Sequence, residues 1–210
     1  MKHTPMIAIL SILLSASQLA QANLVTNGSF ESGAFVPNAD NTMSLPNGST
    51  AMTGWTVIAD SLSWINTPNP WSVLPSDGNF FLDFTDYQQT PAFGGVSQTI
   101  TTVAGQLYDL SFDLGSSNLY GRPNSISASA GSTVQVFTGS STGGISDWQH
   151  FVLPFTAPST STTISLTGVA GFAYIGLDNV SVSAVPLPAS VWLFLSGIGA
   201  LFARFRRQAR

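Results

Sequence analysis

Asp83 and Asp86 are the nearest pair among the ten carboxylates of this chain. A glycosidase flanks its scissile bond with two carboxyl groups at a controlled separation, about 5 Å for retention and about 6.5–9.5 Å for inversion. Nothing in the spacing of Asp83 and Asp86 sets them apart from the other carboxylates, and a solvated turn explains them as well. Gly139-Ser-Ser-Thr-Gly143 matches Gly-x-Ser-x-Gly. That motif needs a strand-to-helix elbow to expose its serine, and this copy sits in a Ser/Thr/Gly-rich stretch between strand patterns. A Ser-His-Asp relay could draw only on His150, which the alternation places in a strand beside Trp148. There is no phosphate-cradling glycine loop with a lysine. The sequence therefore predicts a protein that is not an enzyme.

The chemistry that remains is stacking. Trp64, Trp71, Tyr87 and Tyr120 fall in or beside predicted loops, and Trp71 ends the stiff run Asn66-Thr-Pro-Asn-Pro-Trp71. A ring held rigid at a surface can lie on the apolar face of a sugar, while Asn, Asp and Arg side chains take its hydroxyls. Arg122 follows Tyr120-Gly121 and could supply such contacts. Those five residues are the candidate ligand set. The competing reading is core packing, the usual fate of tryptophan, and Trp55 and Trp148 are assigned to the core on that ground.

The elements that would carry these residues read as β throughout. From Gln106 to Leu114, Tyr108, Leu110, Phe112 and Leu114 alternate with Asp109, Ser111 and Asp113. Period-two runs recur at 133–137, 149–155, 162–166 and 177–182, separated by turn clusters such as Pro46-Asn47-Gly48, Asp77-Gly78-Asn79 and Gly94-Gly95. Many short antiparallel strands predict an all-β fold, an antiparallel β-sandwich of the jelly-roll kind over residues 23–184. Without a cysteine, an exported fold of this size must stand on its hydrophobic core rather than on disulfides.

Several segments carry a family resemblance. Asn23-Leu-Val-Thr-Asn-Gly-Ser-Phe-Glu31 is similar to the opening strand of DUF642-type and family-4/22-type carbohydrate-binding modules. Gly54-Trp55, Asp77-Gly-Asn-Phe-Phe-Leu-Asp83, Val96-Ser-Gln-Thr-Ile100, Ala104-Gly-Gln-Leu-Tyr108, Trp148 with Phe155-Thr-Ala157, and Gly176-Leu-Asp-Asn-Val-Ser-Val182 follow in the order those folds show. DUF642 domains usually carry disulfides and this chain has none, so the broader galactose-binding-like group is the label adopted. The resemblance implies a structural calcium joining the first and last strands through Glu31 and Asp178. Calcium takes six to eight oxygens, so Asn27 or Ser29 and backbone carbonyls would complete the set. The plainer reading has both carboxylates capping strand ends. Zinc is not expected, with no cysteine and with His150 the only histidine beyond residue 22.

Both termini read as targeting segments. Lys2 and His3 precede an apolar run from Met6 to Leu14, and Ala20-Gln-Ala22 is a small-x-small cleavage site, so residues 1–22 are expected to be a cleaved signal peptide. At the other end Val185-Pro186-Leu187-Pro188 leads into an uncharged run through Ala203, which stops at Arg204, Arg206, Arg207 and Arg210. The run is at the short end of what a membrane helix needs, and the arginines would hold the C-terminus on the cytoplasmic side. This order closely resembles a PEP-CTERM sorting signal, with Leu187 where the usual tag has Glu. The resemblance implies an exosortase as processing partner, transient anchoring in the inner membrane through residues 185–210, and a final place at the cell surface or in the extracellular matrix of a Gram-negative bacterium.

Charge narrows the partners. Of the six Lys and Arg, only Arg122 lies in residues 23–184, while all ten carboxylates do; that stretch carries −9 where the whole chain carries −4. Such a surface is a poor partner for nucleic acid, whose binding rests on neutralised phosphates. The leading expectation is a non-catalytic, exported protein that binds extracellular polysaccharide. A structural matrix protein without a sugar site is the alternative, and a glycoside-active enzyme comes third.

Overall fold

A computed structural model of the chain describes residues 22–116, 124–141, 147–172 and 174–186. Residues Ala22–Val185 form one compact unit. Its strands are β1 (Thr42–Leu45), β2 (Thr56–Ile58), β3 (Leu62–Asn66), β4 (Phe80–Asp83), β5 (Gly95–Thr101), β6 (Leu107–Ser116), β7 (Ser125–Ala130), β8 (Thr133–Thr138), β9 (Asp147–Thr156), β10 (Ser161–Ala170) and β11 (Gly176–Ala184). They form a six-stranded sheet in the order β1-β3-β4-β11-β6-β9 and a five-stranded sheet in the order β2-β5-β10-β7-β8. Every pairing is antiparallel. The expected all-β antiparallel sandwich is what the chain builds.

Alternation explains the layering. In β6, Tyr108, Leu110, Phe112 and Leu114 are buried between the sheets, as their period-two spacing predicts. They meet Ile126, Ala128 and Ala130 of β7, Ile164 and Leu166 of β10 and Val180 and Val182 of β11 in one apolar cluster. The predicted runs at 149–155, 162–166 and 177–182 fall within β9, β10 and β11. The run at 133–137 is β8, but as an edge strand it buries only Phe137 and leaves Val134 and Val136 exposed.

Two tryptophans differ from expectation. Trp64 is not a loop residue: it lies in β3, 1% exposed, with its indole N–H donating to the Phe30 carbonyl at 3.1 Å. The rings of Phe35 and Phe80 stand 5.0 and 5.3 Å from it. It cannot reach a surface ligand, which removes it from the candidate set. Trp148, expected in the core, is half-buried at the rim of a second small cluster of Ile65, Val73, Phe81 and Tyr174. That cluster forms because the connection from β3 to β4 folds back over the outer face of the six-stranded sheet. The indole N–H of Trp148 fastens the connection by donating to the Leu74 carbonyl at 2.8 Å. This second layer is why β3 is buried on both faces and hides its alternation.

At its far end β11 is tied down as far as Val185, whose N–H donates to the Leu107 carbonyl at 2.8 Å and whose carbonyl accepts from the Gln106 amide at 2.9 Å. Pro186 is exposed. The expected signal segment up to residue 21 lies outside the described residues, as do Leu187, Pro188, Arg204, Arg206, Arg207 and the apolar run before them. Among the described residues no helix is long and apolar enough to cross a membrane.

Candidate ligand site at an exposed aromatic pair

Two connections flanking β4 bring together two of the expected ligand residues. Trp71, in the β3–β4 connection, and Tyr87, in the β4–β5 connection, are 40% and 45% exposed. Their ring centroids are 5.5 Å apart, with the planes inclined at 44°. A two-ring platform of this kind presents apolar area to water.

Both rings are held by short-range locks. Asn69 is buried; its side-chain oxygen accepts the Val73 N–H at 3.1 Å and its amide donates to the Val73 carbonyl at 2.8 Å. Ser72, at φ 56, donates its N–H to the Asn69 carbonyl at 3.1 Å. Trp71 therefore rides on a tight turn whose base is pinned into the second cluster by Val73. The start of the same connection is fastened by the Asn41 amide, which donates to the Pro68 carbonyl at 3.0 Å.

Tyr87 is placed by the acid before it. Asp86 accepts the Ser44 hydroxyl of β1 at 2.7 Å and the Ser63 hydroxyl of β3 at 2.6 Å, one on each oxygen. Asp86 and Tyr87 both take positive φ, 45 and 67, a conformation that costs a non-glycine residue and persists where the surroundings impose it. The phenol donates to the Thr42 hydroxyl at 3.3 Å. Partial burial raises its pKa above 10.0, with the Asp83 and Asp40 charges adding to the rise and hydrogen bonds from Thr42 and Ser63 opposing it. The hydroxyl thus stays protonated at neutral pH and keeps its hydrogen bond to Thr42.

Asp83 and Asp86 do not form a hydrolytic pair. Asp86 is occupied by two serines, and Asp83 is 2% exposed, accepting the N–H groups of Thr85 and Ile175, each at 2.9 Å. The expected solvated turn is therefore half right: Asp83 is a buried staple between β4 and β11. Desolvation raises its pKa from 3.8 to about 7, against the pull of the Ile175 and Thr85 hydrogen bonds.

The residues expected at a metal site converge on a different corner, the segment 76–80. Glu31 accepts the N–H groups of Asn79 and Phe80 on one oxygen, at 2.7 and 2.8 Å. Asp178 accepts those of Ser76 and Asp77 on one oxygen, at 2.8 and 2.9 Å, and that of Asn179 on the other at 2.7 Å. A β-bulge between Asp178 and Ser181 aims the carboxylate at this turn. Glu31 comes so close to Gly78 (φ +68) that a Cβ there would lie 2.3 Å from its oxygen, so a larger residue would displace the carboxylate and strain the backbone. Asn27 turns away, accepting the Ser32 N–H at 3.0 Å and donating to the Ser32 and Thr53 carbonyls. Ser29 donates to Asp77 at 2.6 Å. Among the described residues no group of three or more His, Asp or Glu side chains stands together as a metal site.

His150 meets Asp113 through Nδ1 at 2.7 Å, and Ser76 donates to the other Asp113 oxygen at 2.5 Å. The serine hydroxyl is thus bound to the carboxylate and not to the imidazole, which gives it no base to activate it. Gly139 to Ser141 connect β8 towards β9, strand to strand, with residues 142–146 outside the described ones. Tyr120 and Arg122 also lie outside the described residues. The sequence reading missed Asn69, Asp86 and Thr42 as the groups that fix the platform. The Asn-Pro pair before Trp71 was the available signal for the first; the partners of the other two lie 23 to 45 residues away in the chain, beyond any local pattern.

Halomucin of Haloquadratum walsbyi (strain DSM 16790 / HBSQ001) is 30% identical over 167 residues, 77% of this chain; the match spans 2% of halomucin's own length. Among solved structures, a CBM4 domain is 19% identical with a TM-score of 0.41, over 77% of this chain and 99% of that one. A family 61 carbohydrate-binding module, solved with β-1,4-galactotriose, is 17% identical with a TM-score of 0.44, over 78% and 99%. The family described as "protein of unknown function (DUF642)" matches residues 23–174, so the lack of cysteine does not set the chain apart from that group. The chain belongs to the DUF642 family.

Proposed function

We propose that the domain binds extracellular polysaccharide without catalysis, through the Trp71–Tyr87 platform. The observation that carries this reading is the pairing of two exposed aromatic rings on hydrogen-bonded turns. Rings fixed in advance lose little conformational freedom on binding, so stacking on a sugar keeps most of its favourable contact energy. Neutral glycan also suits a surface whose described residues contain ten carboxylates and neither Lys nor Arg. The test is retention of the purified chain on the host's extracellular polysaccharide, with soluble oligosaccharide as competitor. Retention that the oligosaccharide reverses supports the proposal; a folded protein that passes through unretained makes it a structural matrix protein.

The same protein is proposed to be exported by the segment 1–22 and sorted by an exosortase through residues 185–210. Intact mass from cells with and without exosortase tests this: a chain still ending at Arg210 in both makes the tail a plain anchor. A structural calcium at Glu31 and Asp178 is proposed for the corner at 76–80, where the two carboxylates face one turn and no described cation offsets their charge. The melting temperature should then fall in EDTA and return with calcium, since an ion held only by the native state stabilises that state. An unchanged melting temperature would leave the hydrogen bonds from segment 76–80 and Asn179 to hold both carboxylates without a metal.

A further inference from the structure

The two sheets have four edges, and three are short or guarded. β1 is four residues long and β2 three. β9 is long but contains Pro154, which has no N–H to offer, together with Asp147 and His150. β8 is different: Thr133-Val-Gln-Val-Phe-Thr138 has no proline, no charge and no irregularity in its pairing with β7. Its Val134 and Val136 are 64% and 53% exposed, and residues 124–141 contain no ionisable side chain at all. Proteins that must avoid edge-to-edge association place Lys, Pro, bulges or a covering segment at such an edge. None of the first three is present on β8.

We propose that β8 is a self-association edge, pairing antiparallel with β8 of a second copy of this chain. The segment is self-complementary about Gln135. An antiparallel pair centred there sets Gln135 opposite Gln135 of the second copy and Val134 opposite Val136 of the second copy. Paired residues share a face, and Val134 and Val136 stand on the outer face beside Ser129 and Ser127 of β7. The four valines of the pair therefore meet in one apolar patch, and the two five-stranded sheets become one continuous sheet. Charge selects the same partner. Two copies that each carry ten carboxylates repel, and this edge is where their approach brings no charged side chain of the pairing strands together. Such a two-fold contact uses the same surface on both copies and closes on itself.

β8 and β9 lie at one side of the sandwich, whereas β1, which holds Tyr87 through Thr42 and Ser44, is the opposite edge of its sheet. The dimer therefore carries its two aromatic platforms at its far ends. Resting on the glycan reading above, that arrangement links two polysaccharide chains rather than gripping one.

The chain has no cysteine, so Gln135→Cys introduces a single thiol at the two-fold centre. Mild oxidation of the full chain in detergent should cross-link Gln135→Cys into a covalent dimer and leave Thr50→Cys, exposed elsewhere on the domain, monomeric. In sedimentation the unaltered chain should have twice the mass of the doubly substituted Val134→Lys, Val136→Lys chain, which should keep the circular dichroism of the folded domain because both valines are exposed. A monomeric unaltered chain, a lysine variant that remains dimeric, or equal cross-linking at Thr50→Cys would overturn the proposal. Trp71→Ala should sediment as a dimer whether or not it binds glycan, so failure here and failure of the glycan reading are separate results.

Discussion

Trp71→Ala should leave the melting temperature nearly unchanged and weaken polysaccharide retention about tenfold or more, whereas Trp64→Ala should cost about 3–5 kcal/mol of stability. The residue type is the same and the surroundings decide. Trp64 is 1% exposed, packed against Phe35 and Phe80 and hydrogen-bonded to Phe30, so truncation leaves a cavity and an unpaired carbonyl. Trp71 is 40% exposed and pairs with the similarly exposed Tyr87. Its turn is held by Asn69 and Val73, which the substitution spares. Covering an apolar ring face contributes about 1.5–3 kcal/mol, and about 1.4 kcal/mol is a factor of ten in affinity. Urea unfolding and retention, measured on both variants, check the contrast. Comparable loss of stability in Trp71→Ala would place that ring in the core after all.

The second large effect is in pH. Burial raises both Asp83 and Asp178 from 3.8 to about 7, against hydrogen bonds from Ile175 and Thr85 in the first case and from Asp77, Asn179 and Ser76 in the second. The native state thus holds these two protons more tightly than the unfolded chain does. The stability they contribute is complete below about pH 4 and is lost as the pH rises through about 7. Between pH 5 and pH 8 Asp83 should cost up to about 2–3 kcal/mol, and Asp178 a like amount only in EDTA, because a calcium ion there would hold its carboxylate ionised. In EDTA the domain should therefore unfold at lower urea at pH 8 than at pH 5. Asp83→Asn separates this from other titrations. Both backbone donors meet one oxygen of Asp83, which the amide retains, so the variant should flatten the profile and match or exceed the unaltered chain at pH 8. Asp178→Asn lacks that freedom, since both its oxygens accept N–H groups and an amide nitrogen would face a donor. It should destabilise. A profile of Asp83→Asn identical to that of the unaltered chain would contradict the buried, protonated Asp83.

Much of the sandwich was legible in the sequence because a strand with one wet face must alternate. β6 shows it fully, from Tyr108 to Leu114. The strands that were not legible lack that contrast for definite reasons. β7 writes its alternation in serine and alanine, too close in polarity to stand out. β3 is covered on both faces, because Val73 and its neighbours fold over it. That same fold-back made Trp64 look like a loop residue from its nearness to the Pro-rich run. The platform was half legible: rigidity around Trp71 and the aromatic character of Tyr87 could be read, but not that Asp86 reaches Ser44 and Ser63 to bring the two rings together. For the acidic corner, the sequence resemblance paired Glu31 with Asp178. The structure adds that both face backbone N–H groups of segment 76–80.

The most direct test of the glycan reading is a retention isotherm on the host's extracellular polysaccharide for the unaltered chain beside the double substitution Trp71→Ala, Tyr87→Ala. Saturable retention is expected of the first and near-complete loss in the second, with both unfolding at the same urea concentration. Equal retention of two equally folded proteins would contradict it and move the sugar, if bound at all, away from this aromatic pair.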